Sequence, residues 1–282
     1  MWAHQGGGRI VKTSCQRGPL LGPSQGKAAW CGGPERLPST TMDGLLEGVE
    51  RILVVIAHPD DVDFGSAGTI AQWTAAGAAV SYCLCTDGDA GGIDESVSRP
   101  AMAAMRRVEQ TNAARTVGVT DLHWLGHADG RLAPTIDLRR DISRVIRRVR
   151  PQRVLTQSPE RNWERIHASH PDHLAAGEAA LCAVYPDARN PFAHPGLKLD
   201  EHLAEWTVPE VWLMGTGEKA DRYVDITDTF DTKIAALRCH VSQIGHVENI
   251  ADRLRDWAIA NGTAAGLPTG RLAESFRAIN TQ

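Results

Sequence analysis

The chain has 282 residues, of which 42% are hydrophobic and 23% are charged, and its formal net charge is −4. This is the composition of a globular protein that is long enough for one large α/β domain. The small negative charge argues against nucleic acid or an anionic membrane as a partner, and no segment reaches the roughly 18 apolar residues of a membrane span.

The first 41 residues differ in composition from the rest of the chain. They are rich in Gly, Pro, Ser and Gln, and they lack the apolar stretch of about 7–15 residues that a signal peptide requires. We expect residues 1–41 to be a disordered extension and residues 42–282 to form a single domain. Because Met42 opens the segment MDGLLEGVERILVV, we also expect the working protein to begin there.

From Arg51 onward, strand-like apolar segments alternate with helical patterns. The predicted strands are residues 51–57, 79–85, 121–125, 153–157, 210–214 and 223–226. Three apolar stripes with helical spacing lie between them, and they contain Ile70, Trp73, Thr74 and Gly77; Leu138, Ile142, Val145, Ile146 and Val149; and Leu174, Ala175, Leu181 and Cys182. Strands that alternate with helices of about 10–15 residues predict βαβ units and a mostly parallel sheet.

Polar clusters follow the first four predicted strands. They are HPDDVD (58–63), TDGDAGG (86–92), GHADGR (126–131) and SPERNWERIHASHPDH (158–173). Binding sites in open parallel sheets form beyond the carboxyl ends of the strands. We therefore expect these four clusters to meet at one edge of the sheet.

His58, Asp61 and His173 are the candidate metal ligands. Pro171 suits the first position of a helix, so His170 would cap that helix and His173 would lie in its first turn. Two imidazoles and one carboxylate, with a position left for water, are typical of a catalytic zinc site, although non-haem Fe²⁺ uses the same ligand types. We expect one Zn²⁺ per chain, with Fe²⁺ and a non-haem iron enzyme as the alternative. Each motif alone is also consistent with a simple helix cap.

Asp60, His170 and Asp172 remain beside these ligands. A carboxylate next to metal-bound water is suited to act as a general base, which is the role we expect for Asp60. His170 could stabilise a developing negative charge or act as an acid, and Asp172 could accept a hydrogen bond from an imidazole. A binding protein without catalysis would need neither Asp60 nor His170, so the pattern favours an enzyme.

Seven arginines lie close together at Arg139, Arg140, Arg144, Arg147, Arg148, Arg150 and Arg153. They alternate with the second apolar stripe, and no aromatic platform accompanies them. We interpret them as the solvated face of one amphipathic helix rather than as a nucleic-acid patch.

The six cysteines show no CxxC motif and no spacing that indicates a disulfide framework. We therefore expect reduced thiols and a cytoplasmic protein. The sequence does not determine whether the chain forms a homo-oligomer.

The segment AHPDDVDFG (57–65), together with HPDH (170–173), resembles the zinc-dependent N-acetylglucosaminyl deacetylases of the PIG-L/LmbE-like family, which includes enzymes of the mycothiol and bacillithiol pathways. The resemblance extends from about Arg51 into the C-terminal region. It implies a Rossmann-like α/β sheet flanked by helices. It also implies hydrolysis of a small acetyl-amino sugar to the amino sugar and acetate.

The same resemblance assigns roles to individual residues. It implies that His58, Asp61 and His173 bind the metal, that Asp60 is the base and that His170 assists the oxyanion. It further implies that the substrate cavity is lined by the loop that contains Asp89, by Arg106 and Glu109 on the following helix, and by the segment that contains Asp129. Arg106 could instead pair with Glu109 three residues later, and Asp129 could belong to a simple turn.

Two further features concern the family pattern. The late segment CHVSQ (239–243) resembles the C-terminal pattern of the family, and we expect His240 and Gln243 to pack a C-terminal helix rather than to touch the site. Many members have Glu directly after the paired aspartates, whereas this chain has Val62 followed by Asp63. This departure leaves the substrate open, and the alternative is an amidase that acts on a non-sugar or thiol-conjugate amide.

Overall fold

The computed structural model describes residues 46–163, 166 and 169–282. The predicted extension at residues 1–41 and the expected start at Met42 lie outside the described residues. Seven strands of the described chain form one sheet in the order β3-β2-β1-β4-β5-β7-β6. Their bounds are β1 Arg51–Ile56, β2 Ala79–Thr86, β3 Asp121–His127, β4 Arg153–Gln157, β5 Glu210–Met214, β6 Arg222–Asp225 and β7 Ala273–Asn280.

The sheet is mostly parallel, as the alternating pattern predicts. β1 is an interior strand, because Ile52 pairs in parallel with Val80 of β2 on one side and with Arg153 of β4 on the other. A central parallel strand is covered on both faces, which explains the uninterrupted apolar run from Ile52 to Ile56. The six predicted strands are confirmed within two residues at each end. β7 was not predicted, and it runs antiparallel to both of its neighbours.

Helices cover both faces of the sheet. They are α1 Asp61–Gly65, α2 Ala67–Ala75, α3 Arg99–Thr116, α4 Ile136–Val149, α5 Pro171–Cys182, α6 Pro195–Leu199, α7 Phe230–Leu237, α8 Val241–Ile244 and α9 Ile250–Ala264, with a π-helical turn at Ala183–Asp187 and 3₁₀ turns at Gly217–Lys219 and Thr227–Thr229. The three predicted stripes lie on α2, α4 and α5, except that α2 ends before Gly77, whose positive φ of 94° marks the turn that follows. Among the described residues, no helix combines the length and the apolar character needed to cross a bilayer.

Alternate residues of β1 face two hydrophobic cores. Ile52, Val54 and Ile56 belong to the core beneath α2, α3, α7 and α9, whereas Leu53 and Val55 belong to the core beneath α4 and α5. The strand is thus held from both sides, and its carboxyl end has a fixed position. The residues that follow Ile56 therefore start from a well-packed strand end.

The interpretation of the arginine run as a solvated face is wrong for two of its members. Arg147 is buried and donates to four carbonyl oxygens at the end of the π-helical turn and in the loop after it, those of Asp187, Ala188, Asn190 and Ala193. Arg153 is buried, pairs with Glu210 and lies over the ring of Trp212 at 4.1 Å from its centroid. A guanidinium has five N–H donors, so a buried arginine can bond to backbone carbonyl oxygens, which the apolar side chains around it cannot do.

A buried ion pair connects α7 and β7 to the beginning of α2. Lys233 Nζ lies 2.6 Å from Glu274 Oε1, and it also donates to the carbonyl oxygen of Phe64 in α1 at 2.7 Å. Glu274 accepts the backbone N–H groups of Gly68 and Thr69 in the first turn of α2, where a carboxylate is favoured by the helix dipole. The pair therefore fixes α1 and α2 relative to the sheet.

Candidate active site

The polar clusters predicted at the strand ends meet at the carboxyl edge of the sheet. The backbone N–H of Ala57, directly after β1, donates to Gln157 Oε1 at the end of β4 at 3.0 Å. Thr86 Oγ1, at the end of β2, donates to the carbonyl oxygen of Ala57 at 2.9 Å. The N–H of Ala90 donates to Asp129 Oδ2 at 2.8 Å, which joins the loop after β2 to the loop after β3. These bonds join the ends of β1, β2 and β4, and the loops after β2 and β3, around one histidine.

That histidine is His58, and its two ring nitrogens face different surroundings. Nε2 lies 3.1 Å from Asp129 Oδ1 and 3.2 Å from Asp172 Oδ2, whereas Nδ1 faces Asp61 Oδ2 at 3.5 Å. Asp172 is held in turn by the backbone N–H groups of Gly130 and Leu132. A metal-binding histidine usually donates the N–H of its other ring nitrogen to a carboxylate, and Nε2 of His58 has such partners.

The charges around His58 strongly favour its protonated form in the metal-free chain. Burial works to lower the pKa of His58, but the hydrogen bonds to Asp129 and Asp61 and the charges of both carboxylates outweigh it and raise the pKa to about 11. The imidazole that contacts the Asp172 carboxylate is that of His58.

Asp61 joins His58 to His173. Its Oδ1 atom lies 2.9 Å from His173 Nε2, and its Oδ2 atom accepts the backbone N–H of His58 at 2.7 Å. Burial works to raise the pKa of Asp61, but the charge and the hydrogen bond of His173 outweigh it, with His58, and the pKa is lowered. His173 lies in the first turn of α5, and its ring centroid is 5.2 Å from that of His58.

His170 is the N-cap of α5, as the sequence predicts. Its Nδ1 accepts the backbone N–H of Asp172 at 3.2 Å, so in the neutral ring the proton lies on Nε2. The ring centroid of His170 lies 5.0 Å from that of His58 and 5.2 Å from that of His173. Burial lowers the pKa of His170, and the charges of His58 and His173 lower it further. The neutral ring at this place offers an N–H donor.

Asp60 lies in a strained turn between β1 and α1. Its φ of 88° is in the left-handed region, which costs a residue other than glycine about 1–3 kcal/mol. Its backbone N–H donates to Gln110 Oε1 at 2.8 Å, and its Oδ2 atom accepts from Arg106 Nη2 at 3.1 Å. Burial raises the pKa of Asp60 to about 7, although the charge of Arg106 acts against it. A carboxyl group with this proton affinity is suited to take up and release a proton near neutral pH.

Arg106 is buried on α3 and is bonded to the loops of the site. Besides Asp60, it donates to the carbonyl oxygens of Gly88 at 3.0 Å and of Pro59. The alternative pair with Glu109 is not formed, because Glu109 instead accepts the N–H and the hydroxyl group of Ser242 at 2.7 and 2.6 Å. Arg106 therefore clamps the turn of Asp60 to the loop after β2.

The other two predicted substrate residues occupy different positions. Asp129 is buried against His58, as described above. Asp89 forms a bidentate pair with Arg99 at the start of α3, with distances of 2.8 and 3.1 Å. The side-chain hydrogen bond of Arg99 lowers the pKa of Asp89. The structure thus brings Asp129 into the histidine cluster, while Asp89 holds the neighbouring loop.

Three residues behind Asp60 were not assigned a site role by the sequence. Gln110 Nε2 donates to Asp63 Oδ2 at 3.0 Å, and the same oxygen lies 2.8 Å from His240 Nε2. All three side chains are completely buried. His240, which we expected to pack a C-terminal helix, does begin α8, but it is also bonded to the turn of the site. Gln110 lies four residues after Arg106, and this shared helix face was the available signal.

Two sets of ligand-type atoms lie within 4.8 Å of one another in the described chain: His58, His170 and His173, and His58, Asp129 and Asp172. Both oxygens of Asp172 accept backbone N–H groups, and Nδ1 of His170 does so as well. His58 Nδ1 and Asp61 Oδ1 accept no backbone N–H within the described residues. The predicted set of His58, Asp61 and His173 is neither of these two, but its donor types, two imidazoles and the carboxylate that contacts both, fit a divalent cation of the zinc type.

Comparisons with known proteins identify similar chains. The model of the PIG-L family, described as GlcNAc-PI de-N-acetylase, matches residues 53–184. A diacetylchitobiose deacetylase of Thermococcus kodakarensis is 36% identical over 199 residues, which cover 69% of this chain and 70% of the relative. A probable N-acetyl-α-D-glucosaminyl L-malate deacetylase 2 of Bacillus cereus is 32% identical, with coverage of 68% and 83%.

A solved structure is also similar. It is the N,N'-diacetylchitobiose deacetylase of Pyrococcus horikoshii in complex with its inhibitor MPG, with a TM-score of 0.76 and 32% identity, and the match covers 83% of this chain and 85% of that one. The similarity therefore extends over most of both chains.

Proposed function

Because the chain belongs to the PIG-L family of GlcNAc-PI de-N-acetylases, we propose that it is a zinc-dependent hydrolase that removes the acetyl group from an N-acetylglucosamine unit of a small glycoside. Its relatives are deacetylases of N-acetylated sugars. The observation that carries the proposal is the contact of Asp61 with both His58 and His173, with the largely buried carboxylate of Asp60 one residue away.

In this proposal His58, Asp61 and His173 hold one zinc ion. When bound, the ion lowers the pKa of a coordinated water and polarises the acetyl carbonyl group. Asp60 takes one proton from the attacking water and later delivers a proton to the leaving amine. The N–H of His170 donates to the acetyl oxygen as negative charge develops on it. The products are the free amino sugar and acetate.

We propose Arg106 and Asp129 as residues that contact the substrate, and Asp89 as a residue that holds the loop beside it. Asp129 lies against His58, so a carboxylate that could accept from sugar hydroxyl groups is close to the cluster. The Nε atom of Arg106 is buried without a hydrogen-bond partner in the described residues. Asp89 acts on the loop, because its pair with Arg99 ties that loop to α3.

Acetate release from a panel of zinc-loaded reactions tests the proposal. The panel contains diacetylchitobiose, N-acetylglucosamine, N-acetylglucosaminyl malate and two N-acetylated amides without a sugar. We expect the sugars to be cleaved, and the Asp60→Asn variant to be slower by about 10²–10⁴-fold with its metal content unchanged. Asp137→Asn is the matched control, because Asp137 is an exposed carboxylate on α4.

Two results would contradict the proposal. Cleavage of the sugar-free amides alone would overturn the assignment of an amino sugar. Full activity of Asp60→Asn, or of the protein after complete removal of metal, would overturn the mechanism.

A further inference from the structure

We propose that Asp63 and His240, acting through Gln110, are positioning residues that hold the Asp60 carboxylate in its working orientation. This inference rests on the proposed function, in which Asp60 is the base. It concerns residues on three separate elements, α1, α3 and the start of α8.

The first step is a closed ring of hydrogen bonds around Asp60. The backbone N–H of Asp60 donates to Gln110 Oε1 at 2.8 Å, and Gln110 Nε2 donates to Asp63 Oδ2 at 3.0 Å. The backbone N–H of Asp63 donates in turn to the carbonyl oxygen of Asp60 at 2.9 Å. Both peptide groups that flank the Asp60 side chain are therefore fixed by Gln110 and Asp63.

The second step concerns the orientation of the Gln110 amide. Its oxygen must face the N–H of Asp60, and its NH₂ group must face the carboxylate of Asp63, because the reversed orientation would place donor against donor and acceptor against acceptor. Asp63 thus selects the rotation of Gln110 that accepts from Asp60. The left-handed backbone of Asp60, at φ 88°, depends on such a partner.

The third step is the anchor of the ring. Asp63 is completely buried, and a buried carboxylate requires donors. His240 Nε2 supplies the second donor at 2.8 Å. The segment that carries His240 is bonded to α3 at the next turn, because Ser242 donates twice to Glu109, the neighbour of Gln110. The His240–Asp63 pair therefore couples the C-terminal part of the chain to the turn of Asp60.

The test compares Gln110→Met, His240→Leu and the conservative His240→Gln with the zinc-loaded wild-type chain. We expect the first two to lower kcat by about 10–100-fold, since a base displaced by about 1 Å loses that much, while KM changes by less than about twofold. Zinc content should stay at one equivalent. His240→Gln keeps an N–H donor toward Asp63, so it should recover most of kcat.

Two controls separate positioning from general destabilisation. Asp187→Asn breaks another buried carboxylate cluster, with Arg139 and His194, and it should lower the melting temperature without changing kcat. In an Asp60→Asn background, His240→Leu should not lower the residual rate further, because the group that it positions is already gone.

The outcomes are distinguishable. Wild-type kcat in folded Gln110→Met overturns the inference and leaves the proposed function intact, provided that Asp60→Asn is inactive. An equal loss from His240→Leu in the wild-type and Asp60→Asn backgrounds also overturns it. Full activity of Asp60→Asn overturns the proposed function itself. If His240→Leu does not fold, Gln110→Met and His240→Gln carry the test.

Discussion

The guanidinium group of Arg106 lies 3.1 Å from the carboxylate of Asp60, and both are largely withdrawn from solvent. Two influences on Asp60 oppose each other at this contact. Burial favours the protonated carboxyl group, whereas the positive charge of Arg106 favours the carboxylate, and the resulting pKa is about 7. The proton affinity of the proposed base is therefore adjustable through one neighbouring residue.

Replacement of Arg106 should move the pH dependence of the reaction. Asp60 works as a base only when it is deprotonated, so kcat/KM should fall as the pH decreases through its pKa. Arg106→Gln removes a charge that lowers this pKa, so the acid limb of the profile should shift to higher pH. Arg107→Gln is the control, because Arg107 pairs with Asp87 instead. An acid limb that stays in place, or moves to lower pH, would contradict the prediction.

Metal binding should release a proton at neutral pH. The pKa of His58 is raised to about 11 in the metal-free chain, so this ring is protonated at pH 7, and it must lose a proton before Nδ1 can bind a cation. Calorimetric titration with Zn²⁺ in two buffers of different ionisation enthalpy should report about one proton released per ion.

The matched variant for the zinc titration is Asp129→Asn. It removes a carboxylate that raises the pKa of His58, so proton release should disappear at a lower pH than in the wild type. If the binding heat at pH 7 is the same in both buffers, no net proton is released when Zn²⁺ binds, and the prediction is wrong.

Loss of Lys233 should destabilise the chain strongly. Lys233→Met leaves the buried carboxylate of Glu274 without its cation, and such a loss costs about 3–5 kcal/mol of unfolding free energy. Lys219→Met is the control, because Lys219 pairs with Glu160 at the surface, where an ion pair contributes about 0–1 kcal/mol. Urea unfolding measures both, and equal losses for the two variants would refute the difference.

Gly177 allows α5 to pack directly against the end of β4. A Cβ atom at this position would lie 2.2 Å from the carbonyl oxygen of Gln157, which is backbone and cannot rotate away. Gly177→Ala should therefore displace α5, with a loss of about 1–3 kcal/mol or more in stability and weaker Zn²⁺ binding through His173.

The helical Gly196 provides the comparison for Gly177. Its added Cβ would meet only the flexible Asp200 side chain at 3.1 Å, so Gly196→Ala should change stability by less than about 1 kcal/mol and leave zinc affinity unchanged. A Gly177→Ala variant with the stability and zinc affinity of the wild type would show that α5 has more room than this contact indicates.

The parallel part of the fold follows from local pattern. The strands that end at Ile56 and Gln157 are short apolar runs between helical stripes, and this alternation leaves few other topologies. β7 carries no such signal, because Ala273 and Phe276 are separated by charged and polar residues and the strand gains its partners only from β5 and β6. Its position depends on contacts that are distant in sequence, which periodicity does not report.

The site also contains residues that local sequence predicts and residues that only the packed structure brings together. His58, Asp61 and His173 could be found because their side chains belong to short motifs next to predicted strand and helix ends. Gln110 and His240 could not be assigned a site role, because their hydrogen bonds to Asp63 form only after three segments distant in sequence have packed together.

The hydrogen bond from Ala90 to Asp129 connects substrate specificity with metal retention. The loop after β2 is one of the segments that we propose to line the substrate cavity, so changes in it are expected to affect which sugar is accepted. Asp129 also contacts His58, a proposed ligand of the ion. A change of backbone conformation at Ala90 would therefore disturb Asp129 and, through it, His58. Redesign at Ala90 is therefore expected to alter metal retention, whereas changes at the exposed Ile93 of the same loop leave the Ala90–Asp129 bond in place.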